Sequence, residues 1–499
     1  MQYQSTRNKS LSISSAQAIK KGLSEEGGLF VPESIPSVSI DEIGKMSEMT
    51  YNERAYAVLK KFLTDYTDEE LWSCINNAYT KEKFETANIA PVYKLNGSQY
   101  FLELWHGPTC AFKDMALQIL PHLLTTAMKK TNEDDEVIIL VATSGDTGKA
   151  ALEGFRDVKG TRIIVFYPSD GVSEIQKLQM VTQEGNNVGV AAVYGNFDDA
   201  QNGVKRIFTD EDYKEELSKN SFKLSSANSI NWGRLVPQIV YYFSAYADML
   251  KADEIKLGDK INVVVPTGNF GNILACFYAE KMGLPVAKLI CASNKNNVLT
   301  DFINTGIYNK KRDFHTTISP SMDILISSNL ERFLYEISGC DDSLVAELMK
   351  KLSENGEYEV NDKMKAKISD LFYGGSCDDD KTRATIKKCK DEFGYVIDTH
   401  TAVAKAVHDE YIEKTGDITK TVIASTASPF KFNQSVLIAL GGYEAVAGKD
   451  EFTLLDELAQ KSGMTIPKSL GDLKNKNCIF DLVCEKEQMQ EVVNDFLNI

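Results

Sequence analysis

The sequence has no C-x-x-C pair and few histidines. Its nine cysteines are scattered from Cys74 to Cys484, and the chain has only five histidines. A zinc ribbon needs closely spaced ligands, and a disulfide framework needs a dense set of cysteines in a short secreted chain. Both classes are therefore excluded, and a reducing compartment is expected.

The sequence also lacks long apolar runs and an excess of positive charge. No uncharged apolar stretch approaches the roughly 20 residues that a membrane span requires, and the N-terminus is polar. The formal net charge is −16, whereas nucleic-acid binding depends on clustered lysines and arginines. We therefore expect a cytoplasmic protein that binds neither nucleic acid nor a membrane. An anionic ligand would have to be held by a few local cations and backbone N–H groups.

What is present indicates a large folded protein. The chain has 499 residues, of which 43% are hydrophobic and 25% charged, enough for roughly two to four domains. The first 90 residues or so have mainly helical patterns. From residue 136 onward, short β-rich apolar runs alternate with helical patterns, as in "EVIILVATSGDTGKAALEGF" and "INVVVPTGNFGNILACF". That alternation predicts parallel α/β sheets.

The first candidate site residue is Lys113, in "GPTCAFKDMALQILPHLLTTAMKK". Apolar residues recur with helical spacing after it, so a helix is expected to begin at Lys113 and to be kinked at Pro121. A lysine among apolar neighbours has a lowered pKa, so its free amine becomes available as a nucleophile or base. The alternative for this lysine taken alone is a surface residue paired with Asp114.

A second candidate site is the turn after "INVVVP", which contains Gly268, Asn269, Phe270, Gly271 and Asn272 before a helical run. Backbone N–H groups in such a turn, together with a helix N-terminus, can hold a phosphate. Neither G-x-G-x-x-G nor a P-loop is present. The alternative is an ordinary strand-to-helix turn.

Three further stretches carry possible ligands. Thr143, Ser144, Gly145, Asp146 and Thr147 begin a helix and suit a carboxylate, although such residues also cap helices for stability alone. Asn228, Ser229, Asn231 and Arg234 gather amide donors around a cation and suit a phosphate, although such groups are also common as structural pairing. Ser425 and Thr426 end a β-rich run, where a hydroxyl can reach a ligand.

In this order, the stretches resemble the threonine synthase family of fold type II pyridoxal-phosphate enzymes. The similarity includes "YQSTRNKSLSISSAQAIKKGLSEEGGLFVPESIP", "LELWHGPTCAFKDMALQ", "SGDTGKAA", "NSINWGRL", "PTGNFGNILA", "SPSMDILISSNLERFL" and "DTHTAVAKA". Two departures are Asn8, where the family usually has glycine, and Ser428, where some members carry histidine.

The resemblance implies a tryptophan synthase β-like α/β fold with two parallel-sheet domains and an additional N-terminal helical region. We expect the N-terminal region at residues 1–95, a larger cofactor-binding domain at 96–135 and 230–499, and a smaller domain at 136–229. The smaller domain would contribute the substrate carboxylate site.

The resemblance also implies the roles of the site residues. Lys113 would form a Schiff base with pyridoxal phosphate and move protons, with Phe112 beside it. The turn at 268–272 would hold the cofactor's phosphate and ring, and Thr426 would face its pyridine nitrogen. Residues 143–147 would bind the substrate carboxylate. The substrate phosphate would lie at Asn228, Ser229, Asn231 and Arg234.

The implied reaction converts O-phospho-L-homoserine and water to L-threonine and phosphate. One alternative is another fold type II lyase acting on phosphorylated or hydroxylated amino acids, and a second is a catalytically silent homologue that binds the cofactor. No metal site is expected, and the expected oligomeric state is a monomer or a weak homodimer.

Overall fold

The computed structural model of the protein describes residues 1–143, 145–169 and 172–499. The helices in this part of the chain are α1 (Ser15–Lys21), α2 (Ile40–Lys45), α3 (Tyr51–Phe62), α4 (Asp68–Ala78), α5 (Asp114–Leu117), α6 (Leu120–Lys130), α7 (Asp146–Phe155), α8 (Glu174–Val181), α9 (Phe197–Thr209), α10 (Glu211–Lys219), α11 (Trp232–Lys251), α12 (Gly271–Met282), α13 (Val298–Thr305), α14 (Leu330–Ser338), α15 (Asp342–Asn355), α16 (Asp362–Leu371), α17 (Asp379–Phe393), α18 (Thr399–Thr415), α19 (Asn433–Gly441), α20 (Glu451–Ser462), α21 (Lys468–Gly471) and α22 (Met489–Leu497). Short 3-10 helices cover Met46–Glu48, Pro320–Met322, Pro429–Phe432, Tyr443–Ala445 and Asp472–Asn475.

The strands described are β1 (Tyr3–Ser5), β2 (Asn8–Ile13), β3 (Phe30–Pro32), β4 (Val92–Lys94), β5 (Gln99–Glu103), β6 (Glu136–Ala142), β7 (Thr161–Pro168), β8 (Val188–Val193), β9 (Phe222–Ser225), β10 (Ile261–Pro266), β11 (Val286–Ser293), β12 (Ile307–Asn309), β13 (Glu357–Glu359), β14 (Phe372–Ser376), β15 (Thr421–Ser425) and β16 (Val483–Cys484). No helix among the described residues is long and apolar enough to cross a membrane.

The N-terminal region contains helices with strong start signals. Helices α1 to α4 each begin with a capping box, in which a serine or threonine caps the helix and a glutamine or glutamate three residues later bonds back to it. The mainly helical expectation is therefore correct for this region. It omitted the antiparallel sheet in which β1 pairs with β2 and β3, because strands as short as three residues carry little sequence periodicity.

Beyond the N-terminal region, the described residues form two large sheets and a two-stranded antiparallel sheet of β12 and β13. In the described residues, the larger sheet has the order β14-β11-β10-β15-β5-β4, and only its edge strand β4 runs antiparallel. The smaller sheet has the order β16-β8-β7-β6-β9, and all of its pairs are parallel. Helix α11 is buried along almost its whole length within the main hydrophobic core.

The end of the chain returns to the smaller sheet. Strand β16 pairs with β8, with Cys484 opposite Val193, and α22 packs against β8 and α9. This differs from the expected boundary, which assigned all of 230–499 to the larger domain. The pairing joins residues almost 300 positions apart, and no local pattern shows such a return. The division into domains otherwise stays a prediction.

The segment after Lys113 forms two helices where one kinked helix was expected. Helix α5 ends at Leu117, and α6 begins at Leu120 with Pro121 in its first turn. Proline is tolerated there because its missing N–H would have had no partner in the helix. The chain therefore breaks before Pro121 and is not bent at it.

Candidate active site

Lys113 lies in a loop that runs beside the end of β15. The backbone N–H of Phe112 donates to the carbonyl of Thr426 over 2.8 Å, and Ala111 forms a bridge with Ala427. The Lys113 side chain is only 11% exposed, and Thr426 is 5% exposed. The structure therefore places the loop that carries the candidate lysine beside the strand end that carries the candidate hydroxyl, and both side chains are largely buried.

The amine of Lys113 has two close polar neighbours. Its Nζ lies 3.2 Å from Ser321 Oγ and 3.5 Å from Asp146 Oδ2. Burial lowers the pKa of Lys113 below its ordinary value; the charge of Asp146 opposes this shift, while Lys431 and Arg234 add to it. The lysine thus has the environment expected of a reactive amine.

The glycine-rich turn connects β10 to α12 close to this amine. Phe270 precedes the helix in a left-handed conformation, with φ 62°, and no side chain caps α12. A Cβ atom at Gly268 would lie 2.8 Å from the carbonyl oxygen of Ser321. Ser321 therefore lies between the Lys113 amine and Gly268 of this turn.

Asn272 contributes a side-chain amide to the same turn. Its Oδ1 accepts hydrogen bonds from the hydroxyls of Tyr241 at 2.6 Å and Tyr242 at 2.5 Å. Its Nδ2 is buried and has no hydrogen-bond partner among the described residues. A buried donor of this kind is costly unless a ligand uses it. Asn269, in contrast, is exposed.

Arg234 is a buried cation without a carboxylate partner in the described part of the chain. Its Nη1 donates to the carbonyl of Ala227 at 2.8 Å, and its Nε has no partner there. Burial lowers the pKa of this guanidinium to about 10. Gln238, one turn later on α11, lies 3.9 Å from the Cβ position of Gly271. An uncompensated cation near this turn suits an anionic ligand.

The predicted ligands that precede Arg234 in the sequence either form structural hydrogen bonds or are exposed. Asn231 caps α11 by accepting from the N–H of Gly233, and its Nδ2 donates to the carbonyl of Ile19. Both ends of its amide are therefore used to fix α11 against the N-terminal region. Ser229 is half-buried with its carbonyl bonded by Asn329, and Asn228 is exposed. Of this predicted cluster, only Arg234 has free hydrogen-bonding capacity in a buried position.

The N-terminus of α7 approaches the amine from the smaller sheet. Thr143 Oγ1 accepts from the N–H groups of Gly145 at 3.0 Å and Gly148 at 2.9 Å. Thr147 is half-buried. Ser144, which was predicted to bind the substrate carboxylate, lies outside the described residues. The ionised Asp146 side chain has no hydrogen-bond donor to offer a second carboxylate, so a direct side-chain role in that binding is disfavoured.

Sequence reasoning missed three residues that contact this site. Ser321 bonds to Lys113; His400 Nε2 accepts from the N–H of Ser321 at 3.2 Å; and Lys431 Nζ lies 2.8 Å from Asp146 Oδ1. His400 Nδ1 is in turn 3.0 Å from Asp398 Oδ1. Ser321 and His400 occur in stretches that carry the family resemblance, whereas Lys431 does not, and nothing in the local patterns of the three residues indicates that they meet.

These features fit pyridoxal phosphate. Lys113 supplies a buried amine, α12 an uncapped N-terminus for a phosphate, and Asn272 a free donor. Residues 86–361 match the family described as pyridoxal-phosphate dependent enzyme. The fold and the site therefore define a fold type II pyridoxal-phosphate enzyme, which confirms the expected fold and cofactor.

Comparisons of the terminal regions and of the whole chain with known proteins all lead to one family. Residues 2–79 match the threonine synthase N terminus, and residues 401–493 match the C-terminal region described for threonine synthase. Threonine synthase of Methylobacillus glycogenes is 37% identical over 452 residues, covering 88% of this chain and 92% of that protein. The crystal structure of threonine synthase from Brucella melitensis has a TM-score of 0.88 and 34% identity, and 99% of each chain is covered. This chain belongs to the threonine synthase family.

A human relative has a longer chain. Human threonine synthase-like 1 is 42% identical over 435 residues, which cover 85% of this chain but only 58% of the human protein. The family is thus confirmed, while the reaction catalysed by this chain belongs to the proposal that follows.

Proposed function

We propose that this protein is a threonine synthase that converts O-phospho-L-homoserine and water to L-threonine and phosphate. The observation that carries the proposal is Arg234, a buried cation that has no carboxylate partner in the described chain and influences the charge of Lys113. A phosphorylated substrate would supply the missing negative charge beside the reactive amine.

The cofactor would be held at two ends. Lys113 would hold its aldehyde end, and the N–H groups at the start of α12, with Gly268 and Asn272, would hold its phosphate. When bound, pyridoxal phosphate stabilises negative charge on the substrate carbon beside the amino group. Thr426 is proposed to lie against the pyridine nitrogen, where a neutral hydroxyl does not force that nitrogen to carry a proton.

The substrate would be oriented by opposite ends of the site. Arg234 would bind its phosphate, and the N–H groups and threonine hydroxyls at the start of α7 would bind its carboxylate. This orientation would bring the α and β carbons near the Lys113 amine. Lys113 would then remove and return protons at these carbons so that phosphate can leave from the γ carbon. General acid–base catalysis of this kind contributes roughly 10²- to 10⁴-fold.

The decisive assay measures phosphate and threonine together. The purified protein, loaded with pyridoxal phosphate, is expected to release equal amounts of both from O-phospho-L-homoserine. Phosphate with a keto acid in place of threonine would favour the other lyase. Cofactor absorbance without turnover would favour a silent homologue.

Two variants test the proposed roles of Lys113 and Arg234. Lys113→Ala is expected to lose the visible cofactor absorbance and turnover, whereas Lys405→Ala, which removes a buried lysine paired with Asp409, keeps both. Arg234→Met is expected to raise KM for the phosphorylated substrate at least tenfold while the cofactor absorbance remains. Turnover by Lys113→Ala would refute the assignment of the base.

A further inference from the structure

Lys431 is a fully buried lysine with no role in the proposed reaction. It lies in the 3-10 helix Pro429–Phe432 that follows β15, and its side chain has 0% exposure. Its Nζ is 2.8 Å from Asp146 Oδ1 and donates to the carbonyl of Thr109 at 2.8 Å. Burying an ammonium group is costly, so its position beside the reactive amine requires a reason.

The contacts of Asp146 divide between its two oxygens. Oδ1 receives Lys431 at 2.8 Å and Gln176 Nε2 at 2.8 Å. Oδ2 receives the hydroxyl of Ser321 at 3.2 Å and faces the Lys113 amine at 3.5 Å. The stronger ion pair is therefore formed with Lys431, and Lys113 has only a loose contact with the same carboxylate.

This division affects the charge of Lys113. Only an uncharged amine can add to an aldehyde, and a carboxylate beside an amine favours its charged form. Asp146 alone would therefore hold Lys113 as an unreactive ammonium. The charges facing the amine are Asp146 from α7, Lys431 from the 3-10 helix and Arg234 from α11. Two of these three are cations that oppose protonation of Lys113.

We propose that Lys431 is a positioning residue that neutralises Asp146 and holds its carboxylate by Oδ1, so that the amine of Lys113 stays free to react. The proposal deepens the proposed function and rests on Lys113 being the cofactor's lysine. It also explains why a carboxylate can lie in a site built for anions: Lys431 cancels its charge, and Asp146 keeps Ser321 and Lys113 in place through Oδ2.

A purely structural role for Lys431 is the competing explanation. Asp146 begins α7, which follows strand β6 of the smaller sheet, whereas Lys431 follows strand β15 of the larger sheet. Their ion pair therefore also connects the segments that follow the two sheets. A tie of this kind affects stability but leaves the titration of Lys113 unchanged. The two roles therefore differ in the pH dependence of one amine.

The test is competitive labelling of the full-length, cofactor-free chain. Trace acetic anhydride is applied over a range of pH, and the acetylation of Lys113 is measured by mass spectrometry. In Lys431→Met, the labelling midpoint is expected to rise by about one pH unit or more, as for an amine left beside an unneutralised carboxylate. Asp146→Asn is expected to lower the midpoint, and replacing Lys431 in the Asp146→Asn background should shift it less than replacing Lys431 beside an intact Asp146.

Lys405→Met is the matched control, because Lys405 is 4% exposed and pairs with Asp409 at 2.5 Å. Its Lys113 midpoint should equal that of the wild type. A folded Lys431→Met with an unchanged midpoint would overturn the proposal. If Lys431→Met does not fold, Lys431→Gln is measured in its place, because glutamine keeps a hydrogen-bond donor near Asp146 but removes the positive charge: an unchanged midpoint would overturn the proposal, and a raised one supports it.

Labelling requires neither cofactor nor substrate, so its outcome is independent of the threonine assay. A shifted midpoint with no threonine formed would refute the proposed function but leave the role of Lys431 standing. Threonine formation with an unshifted midpoint would support the proposed function and overturn the proposed role of Lys431.

Discussion

Replacing Arg234 with methionine tests whether this arginine is retained for a ligand and not for stability. Burial lowers the pKa of its guanidinium to about 10. At about 1.4 kcal/mol per pKa unit, burying the charge costs the folded protein about 3 kcal/mol. The hydrogen bond to Ala227 returns roughly 1.5–3 kcal/mol. In the absence of anions, Arg234→Met should therefore change the free energy of unfolding by no more than about 1.5 kcal/mol.

Arg332 provides a matched comparison. Burial lowers the pKa of Arg332 to about 10 as well. Its guanidinium, however, donates to the carbonyl of Phe30 at 2.9 Å, Asn329 Oδ1 at 2.6 Å and the carbonyl of Ile230 at 2.5 Å. Losing three bonds to a charged group outweighs the gain from removing the buried charge. Arg332→Met should therefore lower the free energy of unfolding by roughly 2 kcal/mol or more.

Urea denaturation in phosphate-free buffer measures both values. The cofactor-loaded proteins are then compared with and without inorganic phosphate, because a ligand that binds only the folded state stabilises it. Phosphate should stabilise the wild type and Arg332→Met but not Arg234→Met. The reasoning fails if Arg234→Met is destabilised as much as Arg332→Met, or if phosphate stabilises all three proteins equally.

Three other variants test the surroundings of the site. Gly268→Ala places a Cβ atom 2.8 Å from the Ser321 carbonyl, so it should cost about 1–3 kcal/mol of stability and weaken cofactor binding measured by absorbance; Gly97→Ala, with no atom within 4 Å, is its control. Burial raises the pKa of Asp114 to about 6. The folded protein therefore keeps this proton after the unfolded chain has lost it, and unfolding free energy should fall by about 2–3 kcal/mol between about pH 4 and 6. Asp114→Asn should remove that fall in urea titrations at pH 4 and 7, and an unchanged profile would contradict the assignment. Asn231→Ala removes a helix cap and the bond to Ile19, so it should lower stability by about 1–2 kcal/mol without changing KM; a raised KM would restore Asn231 to the substrate site.

Much of the site follows from local patterns. The helix start at Lys113 and the strand-turn-helix around Gly268 are both present as expected, because hydrophobic periodicity and turn residues act over a few neighbouring positions. The alternation of strands and helices also predicted the parallel sheets correctly. The predicted role of Asn231 had no such basis, since one amide can either cap a helix or bind a ligand, and only its neighbours in space determine which.

The sequence by itself determined the alternation of strands and helices from residue 136 onward, the glycine turn after β10, and which lysine stands at a helix start. Only the tertiary structure decided that Lys431 meets Asp146, that Ser321 joins Lys113 to the glycine turn, and that the last strand returns to the smaller sheet. These contacts join residues far apart in the chain. Their partners are selected by the packing of whole sheets and helices, which no short stretch of sequence encodes.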